Sequence, residues 1–404
     1  MEERSKLWLI DQSIGPMNAQ LTGTDKAHLQ RALELAERGR GRVSPNPLVG
    51  AVVVRGGDVI GEGFHAELGE LHAERAALED CRRRGGDPAG ATMYVTLEPC
   101  AHQGRQPPCT EAILEAGISR VVIASDDPTE KASGRGPGVF RDGGVEVEFA
   151  AGEEATAARL LNQPFRKHAR TGLPLVTLKL AMSLDGRTST AVGDSPWISG
   201  EASRALAHRW RAESDVIAVG IGAVLADDPL LTARDPAAAR QPTRAVFDSQ
   251  ARLPLDSQLL QTLDQAPVLV VVSSEADSSR LAALRDSGAE IVVASGSTSA
   301  DRVSSALADL GRRNITSLFL EGGPTLAAAF LDVDQIDEAR TFVAPILLGG
   351  ARRAGPVVGG GGPAGEVYVL DRPPPTPPTR AVALHSSVEA VGGDVLITAR
   401  FKEW

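Results

Sequence analysis

Only three cysteines, Cys81, Cys100 and Cys109, occur in 404 residues. That excludes a disulfide framework and suits a reducing compartment, where cysteine serves metals or chemistry. Aromatic residues make up only 4%, and no basic stripe interleaved with stacking side chains is present, as a single-stranded nucleic-acid surface would need. Positive charge is in deficit too. Lys and Arg number 42 against 52 Asp and Glu, a net charge of −10, the wrong sign for general attraction to a phosphate backbone. No segment approaches the ~20 apolar residues of a membrane span. The run Leu7-Trp8-Leu9-Ile10 follows acidic Glu2 and Glu3 and is too short for a signal peptide. What is left is a globular chain, 42% hydrophobic and 23% charged, long enough for two or three domains. These absences predict a cytoplasmic protein acting on a small molecule, without nucleic-acid or membrane partners.

What the chain does contain is a metal-ligand pattern. Gly69-Glu70-Leu71-His72-Ala73-Glu74 is followed by Glu98-Pro99-Cys100 and Pro107-Pro108-Cys109. One imidazole and two thiolates fill three corners of a zinc tetrahedron and leave the fourth for water, whose pKa the ion lowers to about 7. Glu74, two residues beyond His72, is then placed to move a proton, the working set of a zinc deaminase. The usual closing motif is Pro-Cys-x-x-Cys, but here eight residues separate Cys100 from Cys109. Two other readings follow: a closed structural site with His102 as fourth ligand, and a Cys100–Cys109 disulfide. The cysteine count weighs against the disulfide, and the missing short knuckle weighs against a closed site. Cys81 is read as a small packed hydrophobe.

Periodicity and breakers sketch two α/β patterns. After a loose extension over residues 1–24, a deaminase domain over 25–150 is expected. Its helices fall at Asp25–Arg40, His72–Arg84 and Cys109–Ala116, and its strands at 49–54, 59–63, 93–97 and 120–124. A helix over 153–166 and a linker ending at Pro174 (residues 151–174) lead to a second domain over 175–404. There the strands fall at 176–181, 216–220, 244–248, 268–272, 290–294, 317–320 and 339–343, with one helix at 203–211. The turn Glu321-Gly322-Gly323-Pro324 opens a further helix whose N-terminus suits phosphate. Gly359–Gly362 and Pro373–Pro378 read as loop or tail, and Asp394–Phe401 as an edge strand.

Longer strings carry a resemblance. Ser44-Pro45-Asn46-Pro47-Leu48-Val49-Gly50, Gly61-Glu62-Gly63-Phe64-His65, His72-Ala73-Glu74, Val95-Thr96-Leu97-Glu98-Pro99-Cys100 and Gly104-Arg105-Gln106-Pro107-Pro108-Cys109 are similar to one half of the bifunctional riboflavin-biosynthesis deaminase/reductase family. Lys179-Leu180-Ala181-Met182-Ser183-Leu184-Asp185-Gly186-Arg187, Val224-Leu225-Ala226-Asp227-Asp228-Pro229, Phe247-Asp248-Ser249 and Glu321-Gly322-Gly323-Pro324-Thr325-Leu326 resemble the other half. The resemblance implies an N-terminal cytidine-deaminase-like α/β/α domain and a C-terminal dihydrofolate-reductase-like α/β domain. It also implies two steps: zinc-dependent hydrolysis of the 2-amino group of 2,5-diamino-6-ribosylamino-4(3H)-pyrimidinone 5′-phosphate, then reduction of ribosyl to ribityl by NADPH.

By that resemblance one Zn²⁺ per chain is held by His72, Cys100 and Cys109, Glu74 is the catalytic base and acid, and Asn46 and His65 hold the pyrimidine. On composition alone His65 would pass for an ordinary strand-end histidine. In the second half Lys179, Ser195, Arg211, Leu231, Arg234 and Glu321 match substrate positions. Ala181, Trp197, Ala223, Asp227, Ser249, Gly323, Pro324, Thr325 and Leu326 match NADPH positions. Where the family reads Asp-Pro-Asn-Pro, this chain has Asp127-Pro128-Thr129-Glu130, so Thr129 and Glu130 are not carried over. A homo-oligomer through the reductase domain is expected. The absence of Gly-x-Gly-x-x-Gly after a strand argues against a Rossmann reductase. The competing readings are a zinc deaminase of another nucleoside or nucleobase with a non-catalytic C-terminal domain, and a binding protein on a dead deaminase fold; no ligand nor Glu74 is lost, which disfavours the latter.

Overall fold

The computed structural model describes residues 21–104, 106–130, 132–188, 197–348 and 381–404. The loose extension before residue 21, Ser195, and the Gly359–Gly362 and Pro373–Pro378 runs lie outside them. The chain divides into two compact units, residues 1–170 with Trp404, and residues 171–403.

The first unit runs α1 (Gly23–Glu37), β1 (Gly50–Arg55), β2 (Asp58–Phe64), α2 (Ala73–Arg83), β3 (Thr92–Val95), α3 (Cys109–Glu115), β4 (Arg120–Ile123), α4 (Arg135–Asp142), β5 (Glu146–Phe149), α5 (Glu153–Leu161) and α6 (Gln163–Thr171). Its sheet has the order β2-β1-β3-β4-β5, antiparallel between β1 and its neighbours and parallel from β3 to β5. Gly56 and Gly57 both take positive φ, which the tight β1–β2 hairpin turn requires. Alternate strand residues feed separate cores on the two sheet faces, Val52 and Tyr94 on one, Ala51, Val53 and Val95 on the other. That is the three-layer α/β/α arrangement. Gly63 decides how close α2 lies: a Cβ there would stand 2.3 Å from the Ala77 nitrogen and 2.5 Å from the Ala73 oxygen. The start of α2 is therefore laid directly on β2.

α1 begins two residues earlier than periodicity suggested, because Thr22 and Asp25 form a reciprocal capping box. Asp25 also accepts from the Tyr94 hydroxyl at 2.7 Å and from Arg120 at 2.8 Å. Burial alone would raise its pKa, but the bonds from Arg120, Thr22 and Tyr94 hold the carboxyl far below the usual range. A depressed carboxylate stabilises the fold above its unfolded pKa, about 3.9, and that contribution fades as pH falls toward the folded value. Asp25→Asn is expected to lower the unfolding midpoint at pH 7, with the gap to wild type narrowing below about pH 4. A gap that stays constant from pH 7 to 3 would remove the charge from the account.

The single helix expected over 153–166 is two, α5 and α6, separated at Asn162. The Asn162 side chain leaves the helix to pair with Leu48, accepting from its N–H at 2.8 Å and donating to its carbonyl at 2.9 Å. α6 continues to Thr171, into residues read as linker.

The second unit runs β6 (Leu175–Ser183), α7 (Glu201–Glu213), β7 (Val216–Gly220), α8 (Ile221–Asp227), β8 (Thr243–Phe247), α9 (Gln258–Gln261), β9 (Val268–Ser273), α10 (Ser278–Asp286), β10 (Glu290–Ala294), α11 (Ser299–Arg312), β11 (Ser317–Leu320), α12 (Pro324–Asp332), β12 (Glu338–Ala344), β13 (His385–Val391) and β14 (Asp394–Arg400). Its nine strands lie in the order β10-β9-β8-β7-β11-β6-β12-β14-β13. Those from β10 to β12 are parallel, and β14 and β13 add antiparallel. β14 was expected at the edge; it lies between β12 and β13, and β13 is the edge. β7, β11 and β6 adjoin where the winding direction reverses, the place where open α/β sheets bind ligands at the strands' carboxyl ends.

Candidate deaminase and reductase sites

In the first unit, two helix starts and one strand end converge. His72 is the N-cap of α2, Cys109 is the first residue of α3, and Cys100 follows β3. Ligand atoms of His72, Cys100 and Cys109 all lie within 4.8 Å of one another. The His72 Nδ1 stands 3.7 Å from the Cys100 Sγ and 3.3 Å from the Cys109 Sγ. Tetrahedral bonds of about 2.3 Å to sulfur and 2.05 Å to nitrogen put such edges at about 3.6 Å. The donors therefore fit zinc. His102 does not join this cluster among the described residues, and all three cysteines are free, so neither the closed site nor the disulfide is formed. Cys81 is buried inside α2.

The electrostatics divide the two thiols: the Cys100 sulfur, then burial, push the Cys109 thiol far up, while Cys100 is drawn toward thiolate. The Cys100 thiol is pulled down to about 4, first by its hydrogen bond with the Cys109 thiol, then by His72 and the Cys109 N–H, the last at 3.4 Å. Glu74, on the first turn of α2, is 4% exposed. Burial pushes its carboxyl up, and the negative charge of Cys100 adds to that.

His72, Glu74 and Cys100 line a cavity of about 250 Å³ together with Asn46, His65, Glu98, His102, Asp127, Thr129 and Phe165. The His65 Nδ1 lies 3.0 Å from the Leu71 carbonyl, which can only accept, so Nδ1 carries the proton. Its Nε2 then accepts from the Asn46 amide at 3.1 Å. Burial keeps this imidazole below its ordinary pKa, which preserves the neutral tautomer.

Glu98, Asp127, Phe165 and Gln106 were missed by sequence reasoning. Burial holds the Glu98 carboxyl at about 7, while it accepts 3.2 Å bonds from the Gly134 and Gly136 N–H groups. The Gln106 amide ties down the approach to His72, donating to the Glu70 carbonyl at 2.5 Å and accepting from the His72 N–H at 3.3 Å. A carboxylate between Leu97 and Pro99 was the available signal for Glu98. Thr129, set aside as a departure, lines the cavity all the same; Glu130 is exposed.

In the second unit, Lys179 and Ala181 lie on β6, Arg211 on the last turn of α7, and Glu321 directly after β11. Arg211 grips Glu321 through two bonds of 2.5 and 3.1 Å, and Lys179 stands 3.9 Å from the same carboxylate. Burial alone would raise Glu321; Arg211 and Lys179 carry it below the usual carboxylate range. Burial lowers Lys179. Leu231 and Arg234 lie between α8 and β8. A second cavity, about 350 Å³, is lined by Trp197, Arg204, His208 and Arg234, with the Arg204 guanidinium 5.2 Å above the Trp197 ring. Burial, then Arg211 and Arg234, bring His208 down to about 4.

Ala223 and Asp227 lie on α8, and Ser249 just beyond β8. Gly323 caps α12 without a capping side chain, and Pro324, Thr325 and Leu326 form its first turn. A helix start with no side-chain cap suits the diphosphate of a dinucleotide. The start of α12 adjoins β7, since a Cβ at Gly220 would lie 3.6 Å from that of Leu326. Asp227, Ser249 and Thr325 share no hydrogen bond or ion pair with the Lys179–Glu321–Arg211 cluster among the described residues.

Comparison with known proteins agrees with both halves. Residues 22–125 match the cytidine and deoxycytidylate deaminase zinc-binding region, and residues 174–369 the RibD C-terminal domain. The riboflavin biosynthesis protein RibD of Actinobacillus pleuropneumoniae is 39% identical over 384 residues, 95% of this chain and 96% of that protein. RibD of Escherichia coli K12 is 39% identical over 341 residues, 81% of this chain and 90% of its own length. The crystal structure of a diaminohydroxyphosphoribosylaminopyrimidine deaminase/5-amino-6-(5-phosphoribosylamino)uracil reductase from Thermotoga maritima superposes with a TM-score of 0.78 at 34% identity, over 94% of this chain and 99% of that one. Acinetobacter baumannii RibD does so at 0.77 and 36%, with the same coverage. Two unlike chemical sites in one polypeptide, each matched along its length, leave one conclusion: the chain belongs to the RibD family of bifunctional riboflavin-biosynthesis enzymes, a zinc deaminase joined to an NADPH-dependent reductase.

Proposed function

We propose that the first site deaminates 2,5-diamino-6-ribosylamino-4(3H)-pyrimidinone 5′-phosphate at its 2-amino group, and that the second reduces the ribosyl chain of the product to ribityl. The observation that carries this reading is the His72, Cys100 and Cys109 cluster with buried Glu74 on the adjoining helix turn. Zinc held by the three ligands would supply water acidified to a pKa of about 7. Glu74 takes the proton of the attacking water as its oxygen bonds to the amino-bearing ring carbon. It then passes that proton to the departing nitrogen, released as ammonia. A carboxyl raised by burial can hold the proton between the two transfers. Asn46, its Nδ2 committed to His65, presents its Oδ1 to a ring N–H, and the pair fixes the pyrimidine in the cavity.

In the reductase half NADPH supplies the hydride. Arg211, Arg234 and Lys179 provide cationic contacts for the sugar phosphate, Glu321 accepts from sugar hydroxyls, and Leu231 and Ser195 complete the substrate contacts. Trp197, Ala181, Ala223, Asp227, Ser249 and the turn Gly323 to Leu326 hold the cofactor. The reading also carries a cytoplasmic location and a homo-oligomer through the reductase half, which sedimentation of the purified chain checks. A nucleoside deaminase with an idle second half is disfavoured by the RibD C-terminal match over residues 174–369.

Mass spectrometry of the products with and without NADPH tests the order of steps. Exchange of NH for O without the cofactor, and addition of two hydrogens only with it, is expected; reduction without deamination would overturn the order. Lys179→Met removes a charged contact of the kind that contributes about 1.5–3 kcal/mol, so reduction should weaken about tenfold to a hundredfold in kcat/KM while ammonia release is unchanged.

A further inference from the structure

Between α8 and β8 the chain passes residues 228–242 without helix or strand, and this stretch carries Leu231 and Arg234. An irregular segment keeps one shape only when its backbone groups find partners. Here side chains supply them, from the neighbouring elements and, in Gln241, from the far end of the stretch itself. The Gln258 amide donates to the Asp228 carbonyl at 2.5 Å. Arg244, wholly buried on β8, donates to the Leu230 carbonyl at 3.2 Å, and Arg211 donates to the Thr232 carbonyl at 3.1 Å. Gln241 takes both groups of Ala233: its Oε1 accepts from the N–H at 2.8 Å and its Nε2 donates to the carbonyl at 2.9 Å. The next N–H, of Arg234, donates to the His208 Nδ1 at 3.3 Å. In the middle Leu231 is buried at φ 55, a left-handed conformation that a residue with a side chain keeps only where its surroundings hold it.

We propose that Gln241 is a positioning residue for the reductase step. Its amide pairs with Ala233 as a neighbouring strand would, and so sets where Leu231 and Arg234 stand relative to the pyrimidine ribosyl phosphate. The proposal rests on the reading that those two residues touch substrate. Gln241 is half-buried, and both its hydrogen bonds to Ala233 go to backbone groups. Its effect is therefore on placement, and the chemistry of hydride transfer is left to other groups.

The test uses the full-length enzyme reducing the deaminated substrate at saturating NADPH. Gln241→Glu keeps the shape but, once ionised, only accepts hydrogen bonds, so it loses the bond to the Ala233 carbonyl and sets an oxygen against it. Gln241→Met loses both bonds. KM for the pyrimidine should rise about tenfold at pH 8 in both variants, as expected for two neutral bonds, with kcat within about twofold and the KM for NADPH unchanged. Relative to wild type at the same pH, the KM of Gln241→Glu should fall back as pH is lowered to about 5, because a protonated carboxyl again donates and accepts. Gln241→Met should show no such recovery. An unchanged KM in both variants, or equal losses in kcat and NADPH binding, or no recovery at low pH, overturns the proposal. Arg234→Ala separates the two layers. If it raises KM and the Gln241 variants do not, the positioning role alone is wrong; if it leaves KM unchanged, the substrate-contact reading fails and takes the proposal with it.

Discussion

Glu74→Gln stops ammonia release while zinc stays bound. Glutamine keeps the size and polarity of the buried side chain but cannot carry a proton, and positioned proton transfer contributes typically about 10²–10⁴-fold. Deamination should fall by that factor, zinc per chain should stay at the wild-type level, and reduction of supplied deaminated substrate should be untouched. The check is an ammonia assay beside metal analysis of the same preparation. Should more than about a tenth of the activity survive, a loss of less than the lower bound for general acid–base catalysis, Glu74 is not the proton carrier. Glu98 is then the next candidate, since it lines the same cavity with its carboxyl held at about 7.

Cys109→Ala removes one of the three clustered donors at a position with no solvent access. Two ligands are left, His72 on one helix start and Cys100 beyond a strand, and the Cys100 sulfur loses the thiol that contributes most to keeping it ionised. Zinc content should drop to near zero after dialysis, with deamination lost and reduction retained. Cys81→Ala is the matched control: Cys81 is equally buried but stands among packing atoms, a Cβ added at Gly61 meeting its Cβ at 2.8 Å, and the variant should keep its zinc. Zinc retained by Cys109→Ala would mean that another group completes the site, with His102 first in line because its Nδ1 is buried without a hydrogen-bond partner.

Several elements were illegible for identifiable reasons. Strand β13 reads His-Ser-Ser-Val-Glu-Ala-Val and is exposed over nearly its whole length, so no alternation marks it; only the ladder with β14 makes it a strand. α4 contains two glycines and a proline and starts from a left-handed Gly134. Its propensity is poor, and its start is held by the Glu98 carboxylate, which arrives from another part of the chain. α11 is different: the Thr298–Asp301 capping box was there to be read and was overlooked. In the reductase half, Lys179, Arg211 and Glu321 each look like a solvated charge in one dimension, and they meet because β6 and β11 lie side by side in parallel register while the Arg211 side chain reaches Glu321 from α7.

The donor cluster of His72, Cys100 and Cys109, the carboxylate of Glu74 beside it and the two-part α/β plan were readable from the chain because they are short-range. Metal-binding residue types recur at telling intervals, Glu74 is tied to His72 by one helical turn, and strand and helix periods show within about a dozen residues wherever one face is buried. The walls of the deaminase cavity, the neutral tautomer of His65, the paired charges around Glu321 and the clamp on residues 228–234 emerged only on folding. Each depends on desolvation and on hydrogen bonds between groups far apart in sequence, and neither quantity has a value until the chain is packed.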